Sequence, residues 1–160
     1  MTKGTFKKVG KSNKKMYGPR KLLVCGYLPG EQTALLRLLG KKGFKDLAVV
    51  FAADDGAAQT IGELLAADDR AGLGQPGEMR RAIIMSGVTP KELHRLMKIY
   101  RLCELPSPLW ASLTPISETW TLSRLLDELT AESEAMKRHK KGAARYVHKD
   151  AAAPDRKDAP

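Results

Sequence analysis

The feature that most constrains this chain is an order of elements that occurs twice. Lys21-Leu-Leu-Val-Cys-Gly26 reads as a buried strand, since a short apolar run closed by glycine suits a strand covered on both faces. Leu35, Leu36 and Leu39 then mark one stripe of a helix that starts near Pro29 and stops near Gly40 or Gly43. Asp46-Leu-Ala-Val-Val-Phe-Ala52 is the second strand, and Ile61, Leu64 and Leu65 give a short helix its inner face. From Arg81 the order repeats. Arg81-Ala-Ile-Ile-Met-Ser-Gly87 is a strand, and Thr89-Pro-Lys-Glu92 opens a helix with a threonine cap, an early proline and a glutamate three residues after the cap. Leu93, Leu96, Met97 and Tyr100 line that helix at i, i+3, i+4 and i+7. After Pro106 and Pro108, Leu109-Trp-Ala-Ser-Leu-Thr114 alternates as a strand with Leu109, Ala111 and Leu113 on one side. A last helix begins near Thr121 and buries Leu122, Leu125, Leu126 and Leu129.

A shift of 61 residues carries Gly26 to Gly87, Pro29 to Pro90, Glu31 to Glu92, Leu35 to Leu96, Thr60 to Thr121 and Leu64 to Leu125. Near Ala48 and Ala111 the shift reads as 63. The expectation is an α/β fold of tandem duplicated β-α-β-α units, forming a four-stranded sheet covered by helices. Strand-helix-strand units cross over right-handedly with their strands parallel, so the sheet is parallel or mixed. Two arrangements remain open: a doubly wound sheet, or a ferredoxin-like variant in which the first and third strands pair antiparallel.

Charge separates the body from its ends. Residues 1–20 carry seven Lys or Arg and no acid, and residues 137–160 carry eight against three acids. Of the net +10, these ends hold +7 and +5, which leaves residues 21–136 at −2. Lysine mixed with Gly, Ser and Asn and no apolar period predicts a basic disordered arm over 1–20, and 137–160 reads as a basic disordered tail. The domain then covers 21–136, with a first repeat at 21–69, a flexible linker at 70–80 and a second repeat at 81–136. Apolar runs stay far below the roughly 18 residues of a membrane span, and the N-terminal run is too short for a secretory signal. Two cysteines, Cys25 in a strand and Cys103 near a helix end, suit reduced packing residues in a cytoplasmic protein.

The chemistry-bearing motifs are sparse. Gly72-Leu-Gly-Gln-Pro-Gly77 has dinucleotide-loop spacing, but it follows a helix and leads into a strand, the reverse of what a phosphate needs. Open α/β sheets bind ligands beyond their strand ends, which singles out Asp54 and Asp55 after the second strand and Thr114, Ser117, Glu118 and Trp120 after the fourth. Paired carboxylates there suit a metal or acid-base work, or an ordinary turn. Trp120 could stack on a ligand, but packing against Trp110 or a helix is the simpler expectation. No His, Cys or acidic set has ligand spacing around His94, and neither a serine elbow nor a lysine phosphate loop is present; cofactors stay undefined. Lys7, Lys8, Lys11, Lys14 and Lys15, with Lys137, Arg138, Lys140 and Lys141, are the expected contacts to nucleic acid, the ribosome or another polyanion. The expected role is a non-enzymatic binding or regulatory domain, with a small-molecule or metal-dependent enzyme and a homo-oligomeric scaffold as the alternatives.

Ile83-Ile-Met-Ser-Gly-Val-Thr-Pro-Lys-Glu-Leu93, Leu105-Pro-Ser-Pro-Leu-Trp-Ala-Ser-Leu-Thr-Pro115 and Trp120-Thr-Leu-Ser-Arg-Leu-Leu126 resemble the prokaryotic family known as domain of unknown function 3783. The resemblance covers about residues 81–131 and implies a small α/β protein. It carries over no catalytic residue, cofactor or substrate. The first repeat lacks both tryptophans.

Overall fold

The computed structural model describes residues 14–152. The elements are β1 (Lys21–Cys25), α1 (Pro29–Lys41), β2 (Ala48–Ala52), α2 (Ile61–Leu65), β3 (Ala82–Ser86), α3 (Pro90–Tyr100), β4 (Leu109–Ser112) and α4 (Leu122–Ala152). The four strands form one mixed sheet in the order β2-β1-β3-β4. Each crossover joins parallel neighbours, β1 with β2 and β3 with β4, while the central β1 and β3 run antiparallel. Of the two arrangements left open by sequence, this has the antiparallel central pair, and helices still cover both faces.

The pleat decides which residues each face buries, because successive side chains alternate. Leu22, Val24, Val49, Phe51, Ile83 and Met85 point to one side, where they meet Leu35 and Leu39 of α1 and Leu93, Leu96, Ile99 and Tyr100 of α3. Leu23, Cys25, Val50, Ala52, Ala82, Ile84 and Ala111 are buried on the other. There α2 contacts β1 and β2, with Ile61, Leu64 and Leu65 buried alongside Leu122, Leu125 and Leu126 of α4. At about 25 cal/mol per Å², each fully buried leucine contributes about 2 kcal/mol of gross stabilisation, so these two leucine layers dominate the favourable side of folding.

The central register has a symmetry of its own. Lys21 faces Ser86, Leu23 faces Ile84 and Cys25 faces Ala82, so Leu23 lies opposite the residue 61 positions further on. A second exchange occurs between the helix entries. Thr60 bridges Thr121; the Ile61 amide donates to the Trp120 carbonyl, and the Leu122 amide donates to the Gln59 carbonyl, both at 2.9 Å. Adding 61 turns Gln59, Thr60 and Ile61 into Trp120, Thr121 and Leu122, so the two hydrogen bonds are each other's counterparts.

That offset also corrects the sequence alignment at the outer strands. Lys21 pairs with Ala48 and Ala82 pairs with Leu109, so Ala48 corresponds to Leu109 and the offset is 61 throughout, without the extra two residues. A strand has period two, and a slip of two keeps the same face inward; the apolar pattern alone therefore could not fix the register.

Three boundaries differ from expectation. Residues 16–20 are fastened to the body: the Met16 amide donates to the Val88 carbonyl, and the Gly87 amide to the Tyr17 carbonyl. The 70–80 connection is likewise pinned, since Arg70 donates to the Val49 carbonyl and Phe51 to the Ala71 carbonyl, at 2.7 and 2.8 Å. Helix α4 continues past Lys137 to Ala152, and the chain divides into compact units between Leu126 and Asp127 rather than at 136. The fully buried leucine stripe ends at Leu126, with Leu129 only half-buried, while the alanine, lysine and glutamate that follow are good helix formers. Residues 1–13 and 153–160, including Lys7, Lys8 and Lys11, lie outside the described residues.

Candidate functional site

Strand ends are where an open sheet offers a ligand crevice, and here the chain fills its own. Beyond β1, the backbone at Gly77 donates to the Tyr27 carbonyl at 3.3 Å. Gly26 turns there with φ +81°, and a Cβ on it would sit 2.5 Å from the Met79 carbonyl oxygen. Beyond β3 the counterpart holds: Met16 donates to Val88, and a Cβ on Gly87 would lie 2.4 Å from the Gly18 carbonyl oxygen. Each preceding segment thus plugs the crevice at the end of the other half's first strand.

The helix entries behind these crevices are neutralised from within. The Glu31 carboxylate accepts the Leu28 amide at 2.9 Å, and Glu92 accepts the Thr89 amide at 3.0 Å, a carboxylate where an anionic ligand would bind. Each also receives a guanidinium from the segment before the other half's first strand. Arg20 donates to both oxygens of Glu92 at 2.7 and 2.8 Å, and Arg81 to both of Glu31 at 3.0 and 3.3 Å. For Glu92 the Arg20 hydrogen bond is the largest influence and holds the carboxyl below the usual glutamate range. Burial pushes Glu31 up, but the Leu28 amide and Arg81 outweigh it, and its net shift is also downward.

Around Arg81 the first half differs from the second. Arg81 lies over the Tyr27 ring, 4.4 Å from its centroid. Tyr27 donates to the Tyr100 hydroxyl at 2.7 Å, and Tyr100 donates in turn to the Pro106 carbonyl at 2.8 Å. Burial raises the pKa of both phenols, so both stay protonated in this chain of donors. Tyr100 meets Trp110 edge to face at 5.5 Å, and beside them α1 and α3 leave an apolar cavity of about 10 Å³, no larger than one water needs. Gln32, 2% exposed, donates to the Tyr27 and Gln75 carbonyls and accepts the Gly74 amide at 2.8 Å. The glycine-spaced segment is therefore a strap fastened to α1, not a phosphate loop and not a loose tether.

The loop residues singled out by sequence fall at opposite ends of the sheet. Strands β2 and β4 run antiparallel to each other, since each is parallel to one member of the antiparallel central pair. Asp54 and Asp55 lie in a 3-10 turn after β2, where Asp54 accepts the Glu78 amide at 2.8 Å; both are exposed. Beyond β4, Thr114 and Ser117 tie one another in a closed turn, each amide donating to the other's hydroxyl at 3.1 and 3.0 Å. Glu118 accepts the Tyr17 hydroxyl, which raises the pKa of that phenol. Trp120 lies under the Arg124 guanidinium, 4.1 Å from the ring centroid, so its packing partner is α4 and not Trp110. Thr114, Ser117 and Glu118 form one cluster, and the structure does not bring Asp54 and Asp55 to it.

Among the described residues, no group of three or more His, Cys, Asp or Glu is arranged to hold a metal ion, and no helix is long and apolar enough to cross a membrane. Burial pushes the Cys25 thiol up to about 12, and Cys103 donates to the Tyr100 carbonyl; both are free of disulfides. Of the expected polyanion contacts, Lys14, Lys15, Lys137 and Arg138 are exposed, and Lys140 and Lys141 are carried by α4.

Sequence reasoning missed Arg20, Arg81 and Gln32. The first two were detectable, because the offset that aligns Glu31 with Glu92 also aligns Arg20 with Arg81. Gln32 carried a fainter signal, a polar residue three positions before Leu35 on the core stripe. No curated protein and no solved structure matches this chain. Residues 81–136, spanning β3, α3, β4 and the start of α4, match the family model described as Domain of unknown function (DUF3783), so it is the second half that carries a known family's pattern.

Proposed function

We propose that the chain is a non-enzymatic binding protein of the cytoplasm that holds nucleic acid or another polyanion through its basic ends. The observation that carries this reading is the separation of charge, +7 over residues 1–20 and +5 over 137–160 against −2 for everything between. Lysines on such segments neutralise phosphates without reading sequence, which gives affinity that falls with salt. Glu31, Glu92, Thr114 and Ser117 near the strand ends are engaged with the chain's own amides, and the two glutamates with guanidinium groups as well, which supports binding over catalysis. The free thiols of Cys25 and Cys103 suit a reducing compartment. The two halves are read as copies of one strand-helix-strand-helix unit, a reading supported by contacts that reciprocate at a constant offset of 61 residues.

Filter binding of single-stranded RNA and duplex DNA across a salt series tests the function. Replacing Lys7, Lys8, Lys11, Lys137, Arg138, Lys140 and Lys141 by Gln should weaken binding and lower the slope of log K against log salt by about 0.7–0.9 for each phosphate that is no longer neutralised. Affinity and slope equal to those of the unaltered chain would overturn the proposal.

A further inference from the structure

The near-neutral body is not evenly charged. Residues 29–46 and 90–101, which hold α1, α3 and the turns that follow them, carry eight Lys or Arg and three acids, while the rest of 21–126 carries five against eight. All three acids of this helical layer are already engaged from outside it. Arg81 holds Glu31, and Arg20 holds both Glu92 and Asp46. Arg37, Lys41, Lys45, Lys91, Lys98 and Arg101 are exposed, and among the described residues none of them pairs with an acid.

Both helices pack on the same face of the sheet. Each returns from its own strand, and β1 and β3 oppose, so α1 and α3 run antiparallel and the end of α1 meets the start of α3. Arg95 fixes that junction: its guanidinium donates to the Lys42 carbonyl at 2.7 Å and lies over the Phe44 ring, 5.4 Å from the centroid. The cations of the two helices therefore share one outer surface.

Folding does not ask for these charges. Arg37 and Lys41, like Lys91 and Arg95, stand four apart on a helix, where like charges repel. Lys91 also lies in the first turn of α3, the end at which the helix dipole disfavours a cation. A polyanion would compensate both. From Lys91 to Arg101 the chain advances about 15 Å, over which one strand of a duplex presents about four phosphates, and four Lys or Arg stand on this stretch. Single strands are held by bases stacked on exposed rings, but here Phe44 and Tyr100 are buried and Trp110 is half-buried. Helices that lie in a lipid surface insert an apolar face, and α1 and α3 spend theirs on the sheet.

We propose that the outer face of α1 and α3 binds the phosphate backbone of a nucleic-acid duplex. This extends polyanion binding to the body and names the partner, but its cations are not those of the ends, so either can fail alone.

Filter binding on the full chain, with duplex and single-stranded RNA and DNA over a salt series, tests the face. Lys91→Gln, Lys98→Gln and Arg101→Gln together should weaken duplex binding at least about 10-fold near 0.1 M salt and lower the slope of log K against log salt by about 0.9 for each phosphate no longer neutralised. Lys91→Arg with Lys98→Arg should keep the parent's affinity and slope. The urea midpoint of the triple variant should be no lower than the parent's, since repulsion is relieved; a fall in midpoint together with affinity would make these side chains structural and overturn the proposal. Unchanged duplex affinity and slope overturn it, as does an equal loss per charge from Arg80→Gln with Arg124→Gln, outside the layer. So does a loss confined to single strands, or tighter binding to phosphatidylserine vesicles than to duplex. If Gln substitutions in the ends abolish binding that this triple variant retains, the ends act alone and the face is refuted; the reverse result keeps the face and removes the ends.

Discussion

The two halves hold each other by the same contacts and differ in what they hang on them. Arg20 clamps Glu92 and Arg81 clamps Glu31, yet Arg81 also stacks on Tyr27, whose counterpart is Val88, while Arg20 reaches Asp46 at 3.2 Å instead. Gln32 fastens the strap to α1, and its counterpart in α3 is Leu93, buried in the core. What is shared builds the sheet and closes its ends. What is unshared is spent differently: Gln32 and Asp69, which accepts the Val49 amide, secure the connection between the halves, while the tyrosine chain ties the entry of α1 to the Pro106 carbonyl in the second half.

Gly26→Ala and Gly87→Ala test the shared part most severely. Both positions are left-handed, and each new Cβ would press on a backbone oxygen, so we expect at least about 2 kcal/mol of destabilisation from each, by urea titration. A large loss at one and none at the other would break the equivalence of the two plugged crevices. Gln32→Leu probes the unshared part. It leaves the Gly74 amide and the Gln75 carbonyl without their partner and should cost about 1–3 kcal/mol, with faster amide exchange confined to residues 70–77. Exchange spreading equally into 14–19 would show the strap and the N-terminal plug to be one unit.

Arg20→Met and Arg81→Met should each cost about 1 kcal/mol near neutral pH, since the pairs are only partly buried. Both partner carboxyls have lowered pKa in the folded state. Their stabilisation is therefore complete above the unfolded glutamate pKa and is lost as pH falls through the lower folded values. Acid titration of stability should show a smaller loss in either variant than in the parent, and similar curves for the two variants would confirm reciprocity. The smallest effect is expected from Lys21→Met, which removes donors to the Leu65 and Ala67 carbonyls at the end of α2. About 0.5 kcal/mol of destabilisation is the expectation, with no change in the second half's exchange pattern.

The residues explain how much of this was legible beforehand. Element order and both helix-face stripes follow from apolar spacing, because burial acts on each strand and helix separately. The 61-residue offset exposed the paired glycines and prolines. Strand order was out of reach, since nothing local distinguishes a central pair running antiparallel from one running parallel. The chosen loop residues were placed correctly at strand ends, but Asp54 and Glu118 could not be known to lie at opposite ends of the sheet until β1 and β3 were known to oppose. Arg20 and Arg81 looked like ordinary surface cations, and only tertiary structure carries each to a glutamate 72 or 50 residues away.

An antiparallel centre flanked by parallel edges makes the molecule two-headed. The turns that follow β1 and β2 leave from one pole, and those that follow β3 and β4 leave from the other. The turn at Asp54 lies beside the plug at Gly77, and the turn at Glu118 beside the one at Tyr17. Yet the Ala57, Gln59 and Trp120 carbonyls tie the segments leaving them together, so a change at either pole reaches the shared helix entries.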